Sequence, residues 1–213
     1  MTRSGQSARL IPGAVLLALV AVVVPRPATG QADAATQQAK WPGKFPWTAA
    51  DAQFITGMIS HHAQAIVMAN WAPTHGASKS VNIMCARIIN AQSDEITLMQ
   101  AWLKDRNQPV PEAKPLPIKM MMNGMEHEMM MPGMLSAEQM KQLDAARGTE
   151  FDRLFLLFMI QHHKGAITMV EQLLASPGAA QDEFVFKFQG DVFADQGTEI
   201  DRMQKMLASL LLK

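Results

Sequence analysis

The chain has 213 residues, of which 48% are hydrophobic and 18% charged, so it is long and apolar enough to bury a sizeable core. Nineteen Lys and Arg residues balance nineteen Asp and Glu residues, which leaves no electrostatic basis for binding nucleic acid. Methionine is unusually common, with 18 residues, whereas tyrosine is absent and Cys85 is the single cysteine. One cysteine cannot form an intrachain disulfide, so stability must come from packing or from metal.

Residues 1–30 have the order of a secretory signal peptide. Arg3 and Arg9 precede an apolar run over residues 10–24, and small residues follow around Ala28 and Gly30. The run is shorter than the roughly 20 residues that a membrane-spanning helix needs, so we expect cleavage rather than a retained anchor. Cleavage after Gly30 leaves 16 basic and 19 acidic residues. The protein is therefore expected to be periplasmic or secreted, with no membrane segment after signal removal.

A polar lead over residues 31–47 precedes a predicted helical domain over residues 48–213. Thr48 is a suitable N-cap for a first helix that runs to about Trp71, where Pro73 and Gly76 stop it. A second helical pattern covers residues 78–106. These two elements form the first half of the predicted fold.

A methionine-rich segment over residues 107–135 lacks helical periodicity and contains several prolines, so we predict a loop outside the core. Ser136 and Gln139 have the spacing of a capping box. They predict the start of one long helix that ends near Leu174, before Pro177. A last helix is expected over residues 181–211.

The first and third predicted long helices carry the same segment. Met-Ile-Ser-His-His-Ala-Gln-Ala-Ile-Val-Met at residues 58–68 recurs as Met-Ile-Gln-His-His-Lys-Gly-Ala-Ile-Thr-Met at residues 159–169. The match extends upstream, where Asp51 aligns with Asp152. At 3.6 residues per turn, the first histidine and both methionines of each copy share one helix face. Four of the six histidines therefore occupy equivalent positions on two helices.

The helix that follows each copy is also repeated, so the repeating unit is a helical hairpin. Glutamine, glutamate and methionine recur on one face of these second helices. Two such hairpins pack most simply as an antiparallel four-helix bundle, a fold that builds metal sites from side chains on facing helices. The matching residues are Gln92, Glu95 and Met99 in the first half and Gln196, Glu199 and Met203 in the second.

Imidazole, carboxylate and thioether groups directed at one interior predict a metal site, and thioether sulfur favours Cu(I) and other soft ions. The alternative is structural, since a histidine at a helix border is often only hydrogen-bonded and methionine is ordinary core filler. Duplication favours binding for the histidines more than for the methionines. The candidate ligands in the helices are Met58, His61, His62, Met68, Glu95, Met99, Met159, His162, His163, Met169, Glu199 and Met203.

The methionine-rich segment supplies a second set of candidate ligands, set among glycine, asparagine and proline. Thioether coordination of Cu(I) or Ag(I) is favoured over the alternative, a promiscuous hydrophobic docking surface. Cys85 is expected to be a buried, inert thiol. The candidates in this segment are Met120, Met121, Met122, Met125, His127, Met129, Met130, Met131 and Met134.

The duplicated Met-x-x-His-His-x-x-Ala-Ile-x-Met segment, followed each time by Gln-x-x-Glu-Ile-x-x-Met, resembles the bacterial domain-of-unknown-function family 305, over residues 51–207. The resemblance implies a ferritin-like bundle and, from some members, an exported copper-binding protein linked to copper resistance. The methionine-rich segment is similar to those of periplasmic copper-handling proteins. The ligands that the resemblance implies are Met58, His61, His62, Met68, Met159, His162, His163 and Met169.

We therefore expect an exported protein that binds Cu(I), with Ag(I) as a second ion, for copper buffering, transfer or resistance. A periplasmic copper-handling protein is a candidate partner. One alternative is a metal-dependent oxidoreductase with Glu95 and Glu199 as ligands. Ferritin-like di-iron sites need Glu-x-x-His, however, and here Met58 and Met159 take the glutamate positions, so binding is favoured over catalysis. Another alternative is a metal-free interaction module.

Overall fold

The structure, a computed structural model, describes residues 46–115, 117–122 and 125–212. Within these ranges the helices are α1 (Ala49–Asn70), α2 (Lys79–Asp105), α3 (Ala137–Ala145), α4 (Gly148–Leu174) and α5 (Glu183–Leu211). A short hairpin of strands β1 (Ile118–Met122) and β2 (Met125–Met129) lies between α2 and α3. The predicted all-α class is thus confirmed apart from this hairpin. The predicted signal peptide lies outside the described residues, and none of the helices described is long and apolar enough to cross a membrane.

Helix α1 begins as its sequence predicts. The Thr48 hydroxyl accepts the amide of Asp51, and the Asp51 carboxylate accepts the Thr48 amide at 2.7 Å. This capping box satisfies amide groups that an open helix end would leave without partners. Trp47, the last residue of the predicted lead, packs edge-on against Trp102 and is part of the core.

The aspartates at corresponding positions of the two repeats hold the hairpins together. Asp51 on α1 accepts the amide of Ala180, in the turn between α4 and α5, at 2.7 Å. Asp152 on α4 accepts the amide of Ser78, at the turn between α1 and α2, at 3.1 Å. Both carboxylates are buried, and each contacts a turn of the other hairpin, so corresponding residues of the repeat make corresponding contacts.

The prediction of one long helix from Ser136 to Leu174 is wrong, because the chain breaks between α3 and α4. The capping box of Ser136 and Gln139 is present, but it opens only the nine residues of α3. Gly148 has a positive φ of 58°, and its amide donates to the His75 carbonyl at 2.8 Å. At this point the chain therefore forms a long-range hydrogen bond to the turn after α1 instead of continuing as a helix.

Helices α1 and α2 pack together, as do α4 and α5, and α1 packs against α4. This arrangement is consistent with the predicted antiparallel four-helix bundle. Two apolar clusters fill the interior, one around Trp102 and Phe188 and the other around Phe151 and Phe155. Each long helix contributes to both clusters, and between the two contributions lie buried polar residues, namely His61, His62, Gln92, His162, His163 and Gln196.

The prediction of a loop outside the core for residues 107–135 is wrong in two respects. Residues 118–129 contain the β1–β2 hairpin, whose Asn-Gly connection is a sequence signal for a tight turn. Residues 131–135, called the strap below, enter the bundle. Met131, Met134 and Leu135 are 9%, 8% and 1% exposed, respectively. The apolar residues on either side of Pro132 and Gly133 show no helical or strand periodicity in the sequence. Their burial is therefore determined by contacts with distant parts of the chain.

Candidate metal centre

A layer of polar residues crosses the interior between the two apolar clusters. Each long helix supplies two residues, at corresponding positions in the repeats. All four histidines are fully buried, and both glutamines are at most 4% exposed. Burying polar groups costs free energy unless they gain partners, so their contacts define what the layer can do. The polar layer consists of His61, His62, Gln92, Glu95, His162, His163, Gln196 and Glu199.

The second histidine of each repeat is hydrogen-bonded to the glutamate of its own hairpin. Nε2 of His62 donates to Oε2 of Glu95 at 2.7 Å, and Nε2 of His163 donates to Oε2 of Glu199 at 2.6 Å. Because an ionised carboxylate only accepts, the ring nitrogen that faces each glutamate carries a proton, and in the neutral tautomer Nδ1 carries none. Nδ1 then carries a bare lone pair, the form in which imidazole binds a metal.

The first histidines of the repeats face each other but have different partners. Rings of His61 and His162 lie 3.7 Å apart between centroids, tilted by 37°. Nε2 of His61 donates to the Pro132 carbonyl of the strap at 3.0 Å, so its Nδ1 is also unprotonated in the neutral ring. Burial, followed by the charges of neighbouring histidines, holds the pKa of both residues well below the usual histidine value. Both rings are therefore neutral at physiological pH.

Five ring nitrogens in the layer have no hydrogen-bond partner among the described residues. They are Nδ1 of all four histidines and Nε2 of His162. Buried ring nitrogens without partners are costly, and a metal ion would satisfy those that carry a lone pair. No three His, Cys, Asp or Glu side chains of the described ranges are arranged around one point as a metal site.

Buried thioethers flank the layer on both sides. Met58, Met99 and Met169 belong to one apolar cluster, and Met68, Met159 and Met203 belong to the other. All six are at most 4% exposed. The sequence predicted that methionine, histidine and glutamate share one common interior. In the structure the histidines and glutamates meet in one layer, whereas the methionines lie on both sides of that layer. By helical spacing, Met68 and Met169 lie about two turns from the histidines, and the other four lie about one turn from the layer.

The candidate ligands of the methionine-rich segment separate into two groups. In the hairpin, Met120 pairs in register with His127, and Met122 pairs with Met125. Strand β1 also holds Met121, and β2 ends at Met129. Met125 is 61% exposed and Met130 41% exposed, whereas Met131 and Met134 are buried in the strap. The last two were predicted to lie in an exposed loop, and that placement is wrong because they pack in the core.

The strap closes the layer between α1 and α4. The Gln64 side chain forms two hydrogen bonds with the backbone of Leu135, at 2.6 and 3.0 Å. On α4, Gly165 leaves room for Pro132 and Gly133. Gln64 and Gly165 occupy corresponding positions of the repeat. This difference between the two copies was the sequence signal that a segment contacts α1 and α4 in different ways.

A cavity of about 160 Å³ opens on the layer between α2 and α5, lined by Gln92, Glu95, Asp195, Gln196 and Glu199 among others. Side-chain oxygens of Gln92 and Gln196 have no partner in the described part of the chain. Burial and then the charges of Glu95 and Glu199 raise the pKa of Asp195. Sequence reasoning missed Asp195, since the first repeat has Ala91 at the matching position.

Comparison with solved structures supports the fold. A DUF305 protein of Streptomyces coelicolor is 25% identical, with a TM-score of 0.63, covering 76% of this chain and 93% of that one. A DUF305 fragment from Deinococcus radiodurans is 26% identical, with the same TM-score, covering 76% and 98%. CopM, solved in a Cu(I)-bound form, is 26% identical with a TM-score of 0.56, covering 76% and 97%. CopM has also been solved with Cu(II) and with Ag bound.

No curated protein matches the chain. The family described as "Domain of unknown function (DUF305)" matches residues 51–207, which include all four long helices except the ends of α1 and α5. This range confirms the resemblance identified from the repeated histidine segment. The chain belongs to the DUF305 family.

Proposed function

We propose that the protein is an exported binding protein for Cu(I), with Ag(I) as a second ion, that buffers or transfers copper and so supports copper resistance. The observation that carries the proposal is the set of four buried histidines whose Nδ1 atoms have no partner among the described residues, in a layer flanked by buried methionines. Nitrogen and thioether donors together suit soft copper and silver ions. CopM, solved with these ions bound, adds support.

The hydrogen bonds indicate which atoms would hold the metal. Because Glu95 and Glu199 accept the Nε2 protons of His62 and His163, they orient each ring with Nδ1 free. Carboxylates that orient a metal-bound histidine also raise its basicity. We therefore assign Nδ1 of the histidines as nitrogen ligands and place the two glutamates behind them. The methionines nearest the layer complete the soft donor set, namely Met58, Met99, Met159 and Met203.

The exposed part of the methionine-rich segment suits exchange with a partner. Met125 and Met130 present thioethers to solvent, where a periplasmic copper-handling protein could deliver or receive an ion. Export follows from the signal-like N-terminus and agrees with the Streptomyces relative, which is described as a candidate secreted protein. Buffering and transfer require binding but no chemical conversion.

A metal-dependent oxidoreductase is the second candidate, favoured by the three carboxylates around the α2–α5 cavity. Glu95, Asp195 and Glu199 are hard oxygen donors, which suit iron better than Cu(I). Metal analysis of protein purified without added copper distinguishes the two candidates. Iron in that protein, with oxygen consumption on adding Fe(II), would replace our proposal with this one.

Competition for Cu(I) against a chromogenic chelator tests the proposal. We expect the purified protein to remove Cu(I) from the chelator, and the double variant His61→Ala, His162→Ala to lose the tightest binding. His75→Ala is the matched control, because His75 is buried but contacts Asp144 far from the layer. Wild-type affinity no better than that of the double variant would rule out a copper site in the layer.

A further inference from the structure

Two methionines from different parts of the chain converge on Gly57 of α1. A Cβ atom at Gly57 would lie 2.6 Å from Sδ of Met131 in the strap and 3.3 Å from Cε of Met169 on α4. The absence of a side chain at this position is what admits both methionines. In the second repeat the corresponding residue is Phe158, so the arrangement exists in one half only.

A partly open cavity of about 300 Å³ lies beside this point. Three methionines line it with decreasing exposure: Met130 is 41% exposed, Met131 9% and Met169 4%. Their thioethers thus lead from solvent towards the interior. The remaining lining residues are apolar apart from Gln53, Gln172 and Ser176.

The chemistry of this cavity differs from that of the α2–α5 cavity. None of its lining residues is charged, so it lacks the carboxylates that usually hold hard cations such as Mg²⁺ and Ca²⁺. Thioether sulfur selects soft ions. The residue after Met131 is Pro132, whose carbonyl is hydrogen-bonded to His61. The inner end of the cavity is therefore one residue away from the polar layer.

We propose that Met131 and Met169, with Met130 at the mouth, form a thioether uptake site through which Cu(I) or Ag(I) reaches the histidines. The inference rests on the proposed function and adds a route to it. Ions collected at the exposed methionines bind Met131 and Met169 and then pass to the unpartnered nitrogens of His61 and His162. The step is ligand exchange, with no change in oxidation state.

Simple core filling is the competing explanation for Met131, and it predicts a different outcome. Leucine has nearly the same volume as methionine, and exchange between the two usually costs less than about 1.5 kcal/mol. Leucine has no sulfur. A Met131→Leu, Met169→Leu double variant therefore keeps the packing and removes the proposed ligands. Met84→Leu is the matched control, since Met84 is 1% exposed and lies in the other apolar cluster.

The test uses purified protein and two measurements, with circular dichroism to establish that each variant retains its helices. Titration with Ag(I) gives the number of ions bound, and stopped-flow mixing with a Cu(I)–chelator complex gives the loading rate. We expect the double variant to bind fewer Ag(I) ions, to load about tenfold more slowly, and to keep the wild-type affinity of its tightest site. Met84→Leu should match the wild type in all three.

Two results would overturn the inference while leaving the proposed function intact. One is a double variant with the ion count and loading rate of the wild type. The other is equal slowing in the Met84→Leu control, which would assign the effect to packing. If the proposed function itself were wrong, the result would be different, because the wild type would then bind neither Cu(I) nor Ag(I).

Discussion

Gly133 of the strap lies directly against Gly165 of α4. A Cβ atom on Gly165 would be 2.5 Å from the Cα of Gly133 and 2.0 Å from the carbonyl oxygen of Pro132. Gly133 also has a φ of +77°, which residues with side chains rarely adopt. Since that Pro132 carbonyl accepts the hydrogen bond of His61, two glycines in contact determine how the strap covers the histidines.

Gly165→Ala should therefore destabilise the protein, although alanine favours helices. Forcing a methyl group into this contact should cost about 1–3 kcal/mol, which exceeds the roughly 1 kcal/mol that alanine contributes to a helix. Gly190→Ala on α5 is the control, because its Cβ meets nothing within 4 Å. Urea unfolding should show a loss for the first variant and a small gain for the second. Equal effects would mean that the strap does not rest on Gly165.

Deleting the hairpin should have a different effect from deleting the strap. A chain in which a Gly-Ser linker replaces residues 118–129 should keep its helical content and tightest Cu(I) site but bind fewer ions. Extending the deletion through residue 135 removes Met131, Met134 and Leu135 from the core, at roughly 2–5 kcal/mol for each large side chain. Thermal unfolding followed by circular dichroism measures the difference. A similar midpoint for both deletions would contradict the buried strap.

The sequence alone would have led to a different deletion, over residues 120–134, with the fold expected to survive. Local signals were sufficient for what lies within one helix: Thr48, Ser78 and Ser136 are N-caps, and the histidine repeat places His61 and His162 on equivalent helices. The strap depends on contacts across 71 residues, such as that between Gln64 and Leu135. No local pattern encodes such contacts. The difference between Gln64 and Gly165 at corresponding positions of the repeat does not say which segment packs there, so the strap could not be located from the sequence.

Cys85 should remain unreactive in the folded protein. Burial, and then the charge of Asp152, raises the pKa of its thiol to about 12. At pH 8 the thiol is therefore protonated, and the thiolate is the reactive form. A chromogenic disulfide reagent should label Cys85 slowly in native buffer and rapidly in denaturant. Native labelling as fast as that of a free thiol would show that this part of the core opens readily.

The metal-free protein should lose stability as the pH falls below about 6.5, the ordinary pKa of histidine in an unfolded chain. The pKa values of His61 and His162 are lowered in the folded state, so below that pH the unfolded chain binds protons that the folded protein does not. Linkage then reduces the free energy of unfolding by up to about 1.4 kcal/mol per pH unit for each histidine. Urea unfolding between pH 7 and pH 5 measures this slope.

A His61→Gln, His162→Gln variant removes both titrating groups and should show a smaller slope over the same range. His75→Gln is the control, since His75 lies outside the polar layer. An unchanged slope in the double variant would assign the acid sensitivity to other groups.

The last prediction concerns whether Glu95 binds metal itself or orients His62. If it orients the ring, Glu95→Gln still offers an oxygen that can accept the Nε2 proton, whereas Glu95→Ala leaves that nitrogen without a partner. Loss of a residue that orients a ligand usually weakens metal binding 10- to 100-fold. We therefore expect Glu95→Ala to lose about that much Cu(I) affinity and Glu95→Gln to lose clearly less. Asp94→Asn, an exposed charge change on the same helix, should have little effect. Two results together would identify Glu95 as a direct ligand. They are an equal loss of affinity in the alanine and glutamine variants and a copper–oxygen contact detected by X-ray absorption in the wild type.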